Sequence, residues 1–124
     1  MDMDIKSTDD VMSSIFARVV AGDIPVQIVY EDDDVLAFTD VAPTAPVHVL
    51  IIPKVAIRDL AALAEAPPHI TTALMHAVMH VANLTGIATT GFRTVFNTGR
   101  DGGQTVPYLH AHVIGGRPLE WPPG

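Results

Sequence analysis

Apolar residues recur every three or four positions in three stretches of the chain, which is the period of one face of a helix. The predicted helices span residues 11–20, 59–65 and 70–85. Gly22 follows the first and Gly86 follows the third, at positions where glycine commonly ends a helix. Pro67 and Pro68 precede the third, and proline is common at a helix start. One long helix and two shorter ones are therefore expected.

Shorter apolar runs bounded by turn residues predict five strands. They span residues 27–30, 35–39, 47–53, 92–97 and 108–114. The run 47–53 is apolar almost throughout, which is typical of a strand in the middle of a sheet. The acidic residues 31–34 predict a solvated hairpin turn between the first two strands. Because most strands follow one another through hairpin-like connections, we predict an α+β fold with a mostly antiparallel sheet.

Composition narrows the classes of function. The 124 residues fit a single domain, expected at 11–124 after a flexible N-terminal tail at 1–10. A net charge of −7 argues against binding to nucleic acid, which needs a basic face. Without cysteine there is no disulfide, thiol nucleophile or cysteine metal site. Lacking a signal-peptide core and a membrane-spanning run, the chain is expected to be cytoplasmic and not to bind membranes.

Two histidines, His110 and His112, stand in the last predicted strand. Because strand side chains alternate, Tyr108, His110 and His112 are expected on one face of the sheet. Leu109, Ala111 and Val113 are expected on the other face. A His-x-His pair also arises by chance, so alone it is only a weak indication of function.

The residues just before this strand strengthen the indication. Residues 97–105, the glycine loop, contain three glycines, which let backbone N–H groups approach an anion closely. Gln104 and Thr105 add side-chain donors. Such a loop can be a plain flexible turn, but its position directly before the two histidines favours a phosphate site.

The chemistry of such a site is straightforward. A neutral imidazole can attack phosphorus and form a covalent intermediate. A second imidazole, in its cationic form, can hold phosphate oxygens or protonate the leaving group near neutral pH. The pair therefore predicts a nucleotide-phosphate site in which one histidine is the nucleophile.

The remaining histidines carry weaker signals. His76 and His80 are four residues apart in the long helix and are spaced to share a metal ion, but no acidic or cysteine ligand lies in that helix. We interpret them, with His69, as ordinary helix histidines. His48 lies in the apolar strand 47–53, where a lone histidine is usually a satisfied core residue. The sequence does not show whether it reaches the other pair.

With these residues laid out, the chain resembles the histidine triad (HIT) superfamily, in particular its small nucleotide-binding branch, the purine nucleoside phosphoramidases. The likeness runs from about Ser14 to Gly124 through separated segments. These segments are residues 15–16, 22–25, 31–33, 36–40, 48–54 (HVLIIPK), 97–106 (NTGRDGGQTV), 109–117 (LHAHVIGGR) and 121–124 (WPPG).

The resemblance implies a five-stranded antiparallel sheet with an N-terminal helix and one long helix. Two chains would pair as a homodimer with one ten-stranded sheet. The implied activity is hydrolysis of the P–N bond of purine nucleoside 5′-phosphoramidates, of the AMP-amine or aminoacyl-adenylate type. The implied ligand is an AMP- or GMP-like purine nucleotide, and no cofactor or metal is implied.

The resemblance also assigns roles to residues. It makes His110 the nucleophile that forms a nucleotidyl-histidine, places His112 at the phosphate and leaving group, and adds His48 to the same relay. The implied phosphate contacts are Asn97, Gly103, Gln104 and Thr105. The implied ribose and base contacts are Asp40, Val41, Phe16, Ile24 and Phe38. Asp40 would accept hydrogen bonds from ribose hydroxyls, whereas each apolar residue, taken singly, is as readily plain core.

One position departs from the family pattern, because Tyr108 replaces the first histidine of the triad. Its backbone carbonyl would still be available to orient His110, so activity is expected at an unspecified rate. Tyrosine does not bind zinc as imidazole does, which excludes a three-histidine metal site in this run. Two alternatives stay open: a catalytically weak nucleotide- or partner-binding module, and a metal site formed by His48, His110 and His112.

Overall fold

A computed structural model describes residues 11–124, and the tail predicted at 1–10 lies outside the described residues. The elements are α1 (Ile15–Val20), β1 (Ile28–Glu31), β2 (Val35–Thr39), β3 (Val47–Pro53), α2 (Leu60–Glu65), α3 (Pro68–Thr85), α4 (Ile87–Thr90), β4 (Phe92–Phe96) and β5 (Ala111–Gly115). Over residues 11–124, five strands form one antiparallel sheet in the order β1-β2-β3-β5-β4. The predicted α+β class, with a five-stranded antiparallel sheet, an N-terminal helix and one long helix, is confirmed.

The helix ends follow local chemistry. The helix predicted over residues 11–20 is interrupted: Val11 and Met12 are helical, residues 13–14 form a turn, and α1 begins at Ile15. The Ser14 side chain caps α1 by accepting a hydrogen bond from Ala17 N at 3.2 Å. The long helix begins at Pro68, two residues before the prediction, since the first turn tolerates proline. It ends at Thr85, and the next residue, Gly86, caps it with a left-handed φ of 82°. The short α4 is too brief to produce a period and was not predicted.

The last strand is shorter than predicted. It was expected from residue 108, but β5 begins at Ala111. Tyr108 N instead bonds to Val106 O at 2.8 Å, and Leu109 N bonds to Ile57 O at 2.7 Å. These two amides therefore pair outside the ladder that joins β5 to its neighbours.

The sheet separates two apolar clusters. One face packs against α3 and carries Val49 and Ile51 of β3 together with Val113 of β5. The other face packs against α1 and carries Leu50 and Ile52 of β3. Because side chains alternate along each strand, the polar side chains that share the parity of Leu50 are directed to the α1 face.

The edges of the sheet are β1 and β4. Every residue of β4 is half-buried, and within residues 11–124 its ladder partner is β5 alone. Among residues 11–124, no helix has both the length and the apolar character needed to cross a membrane.

Candidate active site

Two neighbouring central strands bring together His48 and His112. In the register of β3 against β5, Leu50 lies opposite His112. His48 is therefore the diagonal neighbour of His112 on the same face of the sheet. His48 Nε2 lies 2.8 Å from His112 Nδ1. His48 is buried, as a core residue would be. Its contact with the His112 ring, and not its burial, makes it part of the imidazole cluster.

Hydrogen-bond partners determine which ring nitrogens carry a proton. Thr44 N donates to His48 Nδ1 at 3.1 Å, so a neutral His48 carries its hydrogen on Nε2. That hydrogen is donated to His112 Nδ1, which places the hydrogen of a neutral His112 on Nε2. His112 Nε2 is buried and has no hydrogen-bond partner among the described residues. An unpaired buried donor is costly, so this N–H is poised for an acceptor that enters the site.

His110 has the opposite polarity. Its Nδ1 donates to the backbone carbonyl of Tyr108 at 2.7 Å, so its Nε2 carries the lone pair. The ring is 6% exposed and meets the rings of Phe16 and His112 edge-on, with both centroids at 5.0 Å. The site therefore presents one imidazole lone pair and one imidazole N–H side by side.

Both central imidazoles favour the neutral form when the site is empty. Burial lowers the pKa of His110 below its usual value, although the Tyr108 carbonyl and the Asp40 charge oppose this. Burial, and after it the imidazoles of His110 and His48, lower the pKa of His112 to about 4. A bound anion would act in the opposite direction, because negative charge stabilises the imidazolium.

Asp40 lies at the edge of the cluster, directly after β2. Its Oδ1 accepts a hydrogen bond from Ala42 N at 2.8 Å, and its Oδ2 is 3.4 Å from His48 Nε2. Asp40, His48 and His112 each offer a ligand atom within 4.8 Å of the others, which is a geometry able to hold a metal ion. This trio differs from the histidine set considered from sequence, because Asp40 takes the place of His110.

A cavity of about 320 Å³ opens onto the imidazoles. Its lining is mostly apolar and comprises Ile15, Phe16, Val19, Ile24, Pro25, Val26, Phe38, Thr39, Asp40, Val41, Leu50, Thr105, Val106, His110 and His112. All five residues predicted for ribose and base are in this lining. Sequence reasoning missed Ile15 and Val19, whose helical spacing is compatible with one face of α1, and Leu50, which shares the parity of His48.

The glycine loop stands beside this cavity, but its residues have different roles. Thr105 lines the cavity, whereas Asn97, Gly103 and Gln104 are not in its lining. Gly103 has a left-handed φ of 80°, and its N–H bonds to Arg100 O at 3.1 Å. Glycine is required there by the backbone conformation.

Gln104 is 1% exposed and is used entirely within the protein. Its Nε2 donates to Arg58 O at 2.8 Å and to Val106 O at 3.1 Å, and its Oε1 accepts from Gly99 N at 3.0 Å. Both amide hydrogens are taken in this arrangement, so the side chain has no free donor for a phosphate.

Tyr108 is 1% exposed and turns its phenol away from the cavity. The hydroxyl donates to Pro53 O at 2.5 Å and lies 3.4 Å from Val55 O. Its ring meets that of Phe16 edge-on, with centroids 6.4 Å apart. Burial raises the pKa of Tyr108 above its usual value, so the phenol stays protonated and serves as a hydrogen-bond donor.

The helix histidines lie on the opposite side of the sheet from this cluster. His80 stacks on Tyr30 with ring centroids 4.7 Å apart, and His69 Nε2 is 3.7 Å from Asp34 Oδ1. Both are exposed, as is His76. No group of three metal ligands within the described residues includes any of them.

Comparison with known proteins gives consistent matches over nearly the whole chain. A model of the HIT domain family matches residues 21–119. An uncharacterised HIT-like protein of Synechococcus elongatus is 50% identical over 111 residues, covering 90% of this chain and 96% of that protein. The Arabidopsis thaliana protein named adenylylsulfatase HINT1 is 43% identical over 113 residues, covering 90% of this chain and 76% of that protein. The crystal structure of a HIT family hydrolase from Legionella pneumophila has a TM-score of 0.85 at 37% identity, covering 89% and 98% of the two chains.

Proposed function

The chain belongs to the HIT domain family, and from that premise we propose that it is a nucleotide-binding hydrolase that cleaves the P–N bond of purine nucleoside 5′-phosphoramidates through a nucleotidyl-His110 intermediate. The observation that carries this proposal is the paired polarity of the two imidazoles. His110 offers a lone pair, and His112 beside it offers a buried, unpartnered N–H. A displacement at phosphorus needs one group of each kind.

The first step forms the covalent intermediate. The anionic phosphoramidate raises the pKa of His112, which takes up a proton on Nδ1 and becomes an imidazolium. That Nδ1–H then donates to His48 Nε2, and the neutral His48 carries its own hydrogen on Nδ1, where Thr44 Oγ1 lies 3.4 Å away. The Nε2 lone pair of His110 forms a bond to phosphorus while the P–N bond of the substrate breaks. The leaving nitrogen keeps the electron pair of that bond and takes the Nε2 proton of His112, so the amine departs neutral.

The second step restores the imidazolium of the substrate complex, and His112 gives up its extra proton to solvent when the product leaves. Water forms a bond to phosphorus and gives its proton to His112 Nε2, which now acts as a base. The bond between phosphorus and His110 Nε2 breaks, and its electron pair returns to the imidazole. The products are a nucleoside 5′-monophosphate and an amine, and the overall reaction consumes one water molecule.

Binding roles follow the placement of the other residues. We assign the apolar cavity beside Phe16 and Phe38 to the purine, because a flat base gains from burial against aromatic and aliphatic side chains. Asp40, whose Oδ2 faces the cluster, is assigned to the ribose hydroxyls. Thr105, which lines the cavity, is assigned to phosphate together with the neighbouring backbone. Asn97 and Gly103 lie outside the cavity lining, so their proposed phosphate contacts would need the glycine loop to shift on binding. Imidazoles and loop donors supply the charge stabilisation, so the proposed reaction uses no cofactor.

The leaving group is the less constrained part of the substrate. The name of the Arabidopsis relative describes hydrolysis of an adenylyl sulfate, in which sulfate rather than an amine leaves phosphorus. Both reactions transfer the same adenylyl group to a nucleophile. An adenylyl sulfate is therefore the second substrate class to be assayed against the phosphoramidate.

We also propose that two copies of the chain pair through the β4 edge into a ten-stranded sheet. The N–H and C=O groups on the outer side of β4 have no ladder partner among the described residues. Met75 and Met79 of α3 are exposed and lie roughly 100–140° around the helix from His80, which contacts β1. They are therefore on the β4 side. In light scattering, Met79→Glu should shift a dimer toward monomer, whereas His80→Glu should not.

The proposed activity is tested with adenosine 5′-phosphoramidate under steady-state conditions, together with intact-mass detection of an AMP adduct on the protein. Wild-type protein should release AMP, and His110→Ala should lose both turnover and adduct. His76→Ala, on the exposed side of α3, is the matched control and should retain them. Wild-type turnover by His110→Ala would overturn the mechanism. Tight AMP binding without turnover by the wild type would instead identify a nucleotide-binding module.

A further inference from the structure

Residues 53–58 run from the last residue of β3 toward α2 and are called the 53–58 connection. The segment that leads into β5 holds them in place by hydrogen bonds. Three of their backbone carbonyls accept hydrogen bonds from that segment. The bonds run from Tyr108 Oη to Pro53 O, from Leu109 N to Ile57 O at 2.7 Å, and from Gln104 Nε2 to Arg58 O at 2.8 Å. Val55 O lies 3.4 Å from the same Tyr108 hydroxyl. Two of the three donors are buried side-chain groups, and leaving a buried polar group unpaired is costly.

Tyr108 connects this arrangement to the nucleophile. Its phenol is anchored at Pro53, its ring is held edge-on by Phe16, and its own backbone carbonyl accepts the Nδ1–H of His110. A tyrosine side chain has only two rotatable torsions, so fixing the hydroxyl and the ring also fixes the backbone. The carbonyl that sets the tautomer and ring orientation of His110 therefore depends on where the phenol is held.

Gln104 connects the glycine loop to the 53–58 connection in a similar way. While its Nε2 bonds to Arg58 O, its Oε1 accepts the N–H of Gly99 at 3.0 Å. Its backbone N–H also bonds to Gly99 O at 3.0 Å. The start of the loop is thus tied through one amide side chain to the same 53–58 connection.

We propose that Tyr108 and Gln104 are positioning residues that clamp the catalytic segment to the 53–58 connection, so that Tyr108 takes over the first triad position by holding His110 through the backbone. The inference rests on the proposed function of His110. The phenol performs no proton transfer in the reaction and touches no reacting atom. It fixes the direction of the His110 lone pair, which a displacement at phosphorus requires.

The test compares Tyr108→Phe with Tyr30→Phe, the matched control at the other tyrosine of the chain. Tyr30 also donates a hydroxyl hydrogen bond, to Asp32 at 2.8 Å, but on the far side of the sheet from the site. We expect Tyr108→Phe to lower kcat about tenfold with little change in KM, because loss of orientation acts on the reacting geometry. Tyr30→Phe should leave both values at those of the wild type.

Two further measurements do not depend on turnover. In ¹⁵N spectra of the histidine rings, wild-type His110 should show a single Nδ1–H tautomer, and Tyr108→Phe should mix the two tautomers. The amide of Leu109, which bonds to Ile57 O, should exchange with solvent about tenfold faster in Tyr108→Phe and in Gln104→Met. AMP binding, measured in parallel, verifies that each variant is folded.

The outcomes separate the two proposals. A wild-type protein without turnover contradicts the proposed function, and the tautomer and exchange measurements still decide whether the clamp exists. Unchanged tautomer and unchanged Leu109 exchange in Tyr108→Phe would overturn the clamp whatever the activity. A loss of kcat in Tyr30→Phe equal to that in Tyr108→Phe would also overturn it, because the effect would then be general.

Discussion

His48 and His112 are 64 positions apart in the chain, yet Nε2 of the first lies 2.8 Å from Nδ1 of the second. The antiparallel register of β3 against β5 creates this contact, and the Thr44 N–H at the other side of His48 gives it a direction. The Nε2–H of His48 therefore donates its hydrogen bond to His112 Nδ1. The proton of His112 is consequently on the nitrogen that the leaving group of a substrate would meet.

We therefore expect His48→Ala to lower kcat about 10–100-fold while weakening AMP binding much less, because His112 would lose the partner that fixes its tautomer. Steady-state turnover of the adenosine phosphoramidate and calorimetric titration with AMP measure the two effects separately. His76→Ala, which removes an exposed imidazole from α3, is the control. A kcat in His48→Ala equal to that of the control would contradict the relay.

A second prediction concerns proton uptake on binding. His112 has a pKa of about 4 in the empty site, and an adjacent phosphate raises that pKa because it stabilises the imidazolium. Between the two pKa values, the complex binds a proton that the free protein does not. AMP affinity should therefore fall as the pH rises through the pKa of the complex.

Titrations with AMP in buffers of different ionisation heat measure this uptake directly. The apparent binding enthalpy should change with the buffer in proportion to the protons taken up, and the dependence should be reduced in His112→Asn. A binding enthalpy of the wild type that is independent of the buffer at pH 6 to 7 would contradict the prediction.

Without bound nucleotide, the folded protein should be less stable in mild acid, for a related reason. The folded pKa values of His110 and His112 are depressed, so below the unfolded value of about 6.5 the unfolded chain binds protons that the folded chain excludes. The contribution of these two histidines to the free energy of unfolding is thus fully present above about pH 6.5. It is lost as the pH falls toward the folded pKa of His112, about 4.

Thermal unfolding at pH 7 and pH 5 tests this sign. The midpoint should be lower at pH 5 in the wild type, and the decrease should be smaller in His112→Asn, which has one fewer depressed imidazole. An equal decrease in both proteins would assign the acid sensitivity to other groups.

Local patterns predicted most of the secondary structure because they depend on short-range chemistry. Alternation placed Tyr108 with His110 on one face of the sheet, and Tyr108 indeed packs in the α1-face cluster while Leu109 packs in the other. The start of β5 could not be predicted in this way. It depends on Leu109 N finding Ile57 O, an acceptor in a distant segment.

The same distinction applies to the site. The glycine loop ends five residues before His110, so the sequence alone showed that the loop and the His-x-His pair are close in the chain. The contact of His48 with His112 depends on strand register, and the anchoring of Tyr108 depends on carbonyls at Pro53 and Val55 that carry no sequence signal. Gln104 was expected at phosphate by resemblance, whereas its three backbone hydrogen bonds became visible only in the fold.

The glycine loop supplies a last prediction, at Gly102. A Cβ at this position would lie 2.3 Å from Thr98 O and 2.9 Å from Thr98 N, which are backbone atoms that no side-chain rotation can move away. Gly102→Ala should therefore destabilise the fold by at least about 2 kcal/mol and displace the loop that carries Thr105 to the cavity. Chemical unfolding and AMP titration measure the two consequences. Gly124→Ala, where a Cβ meets nothing within 4 Å, should change neither. If Gly102→Ala matches Gly124→Ala in both unfolding free energy and AMP affinity, the close approach to Thr98 does not set the shape of the loop.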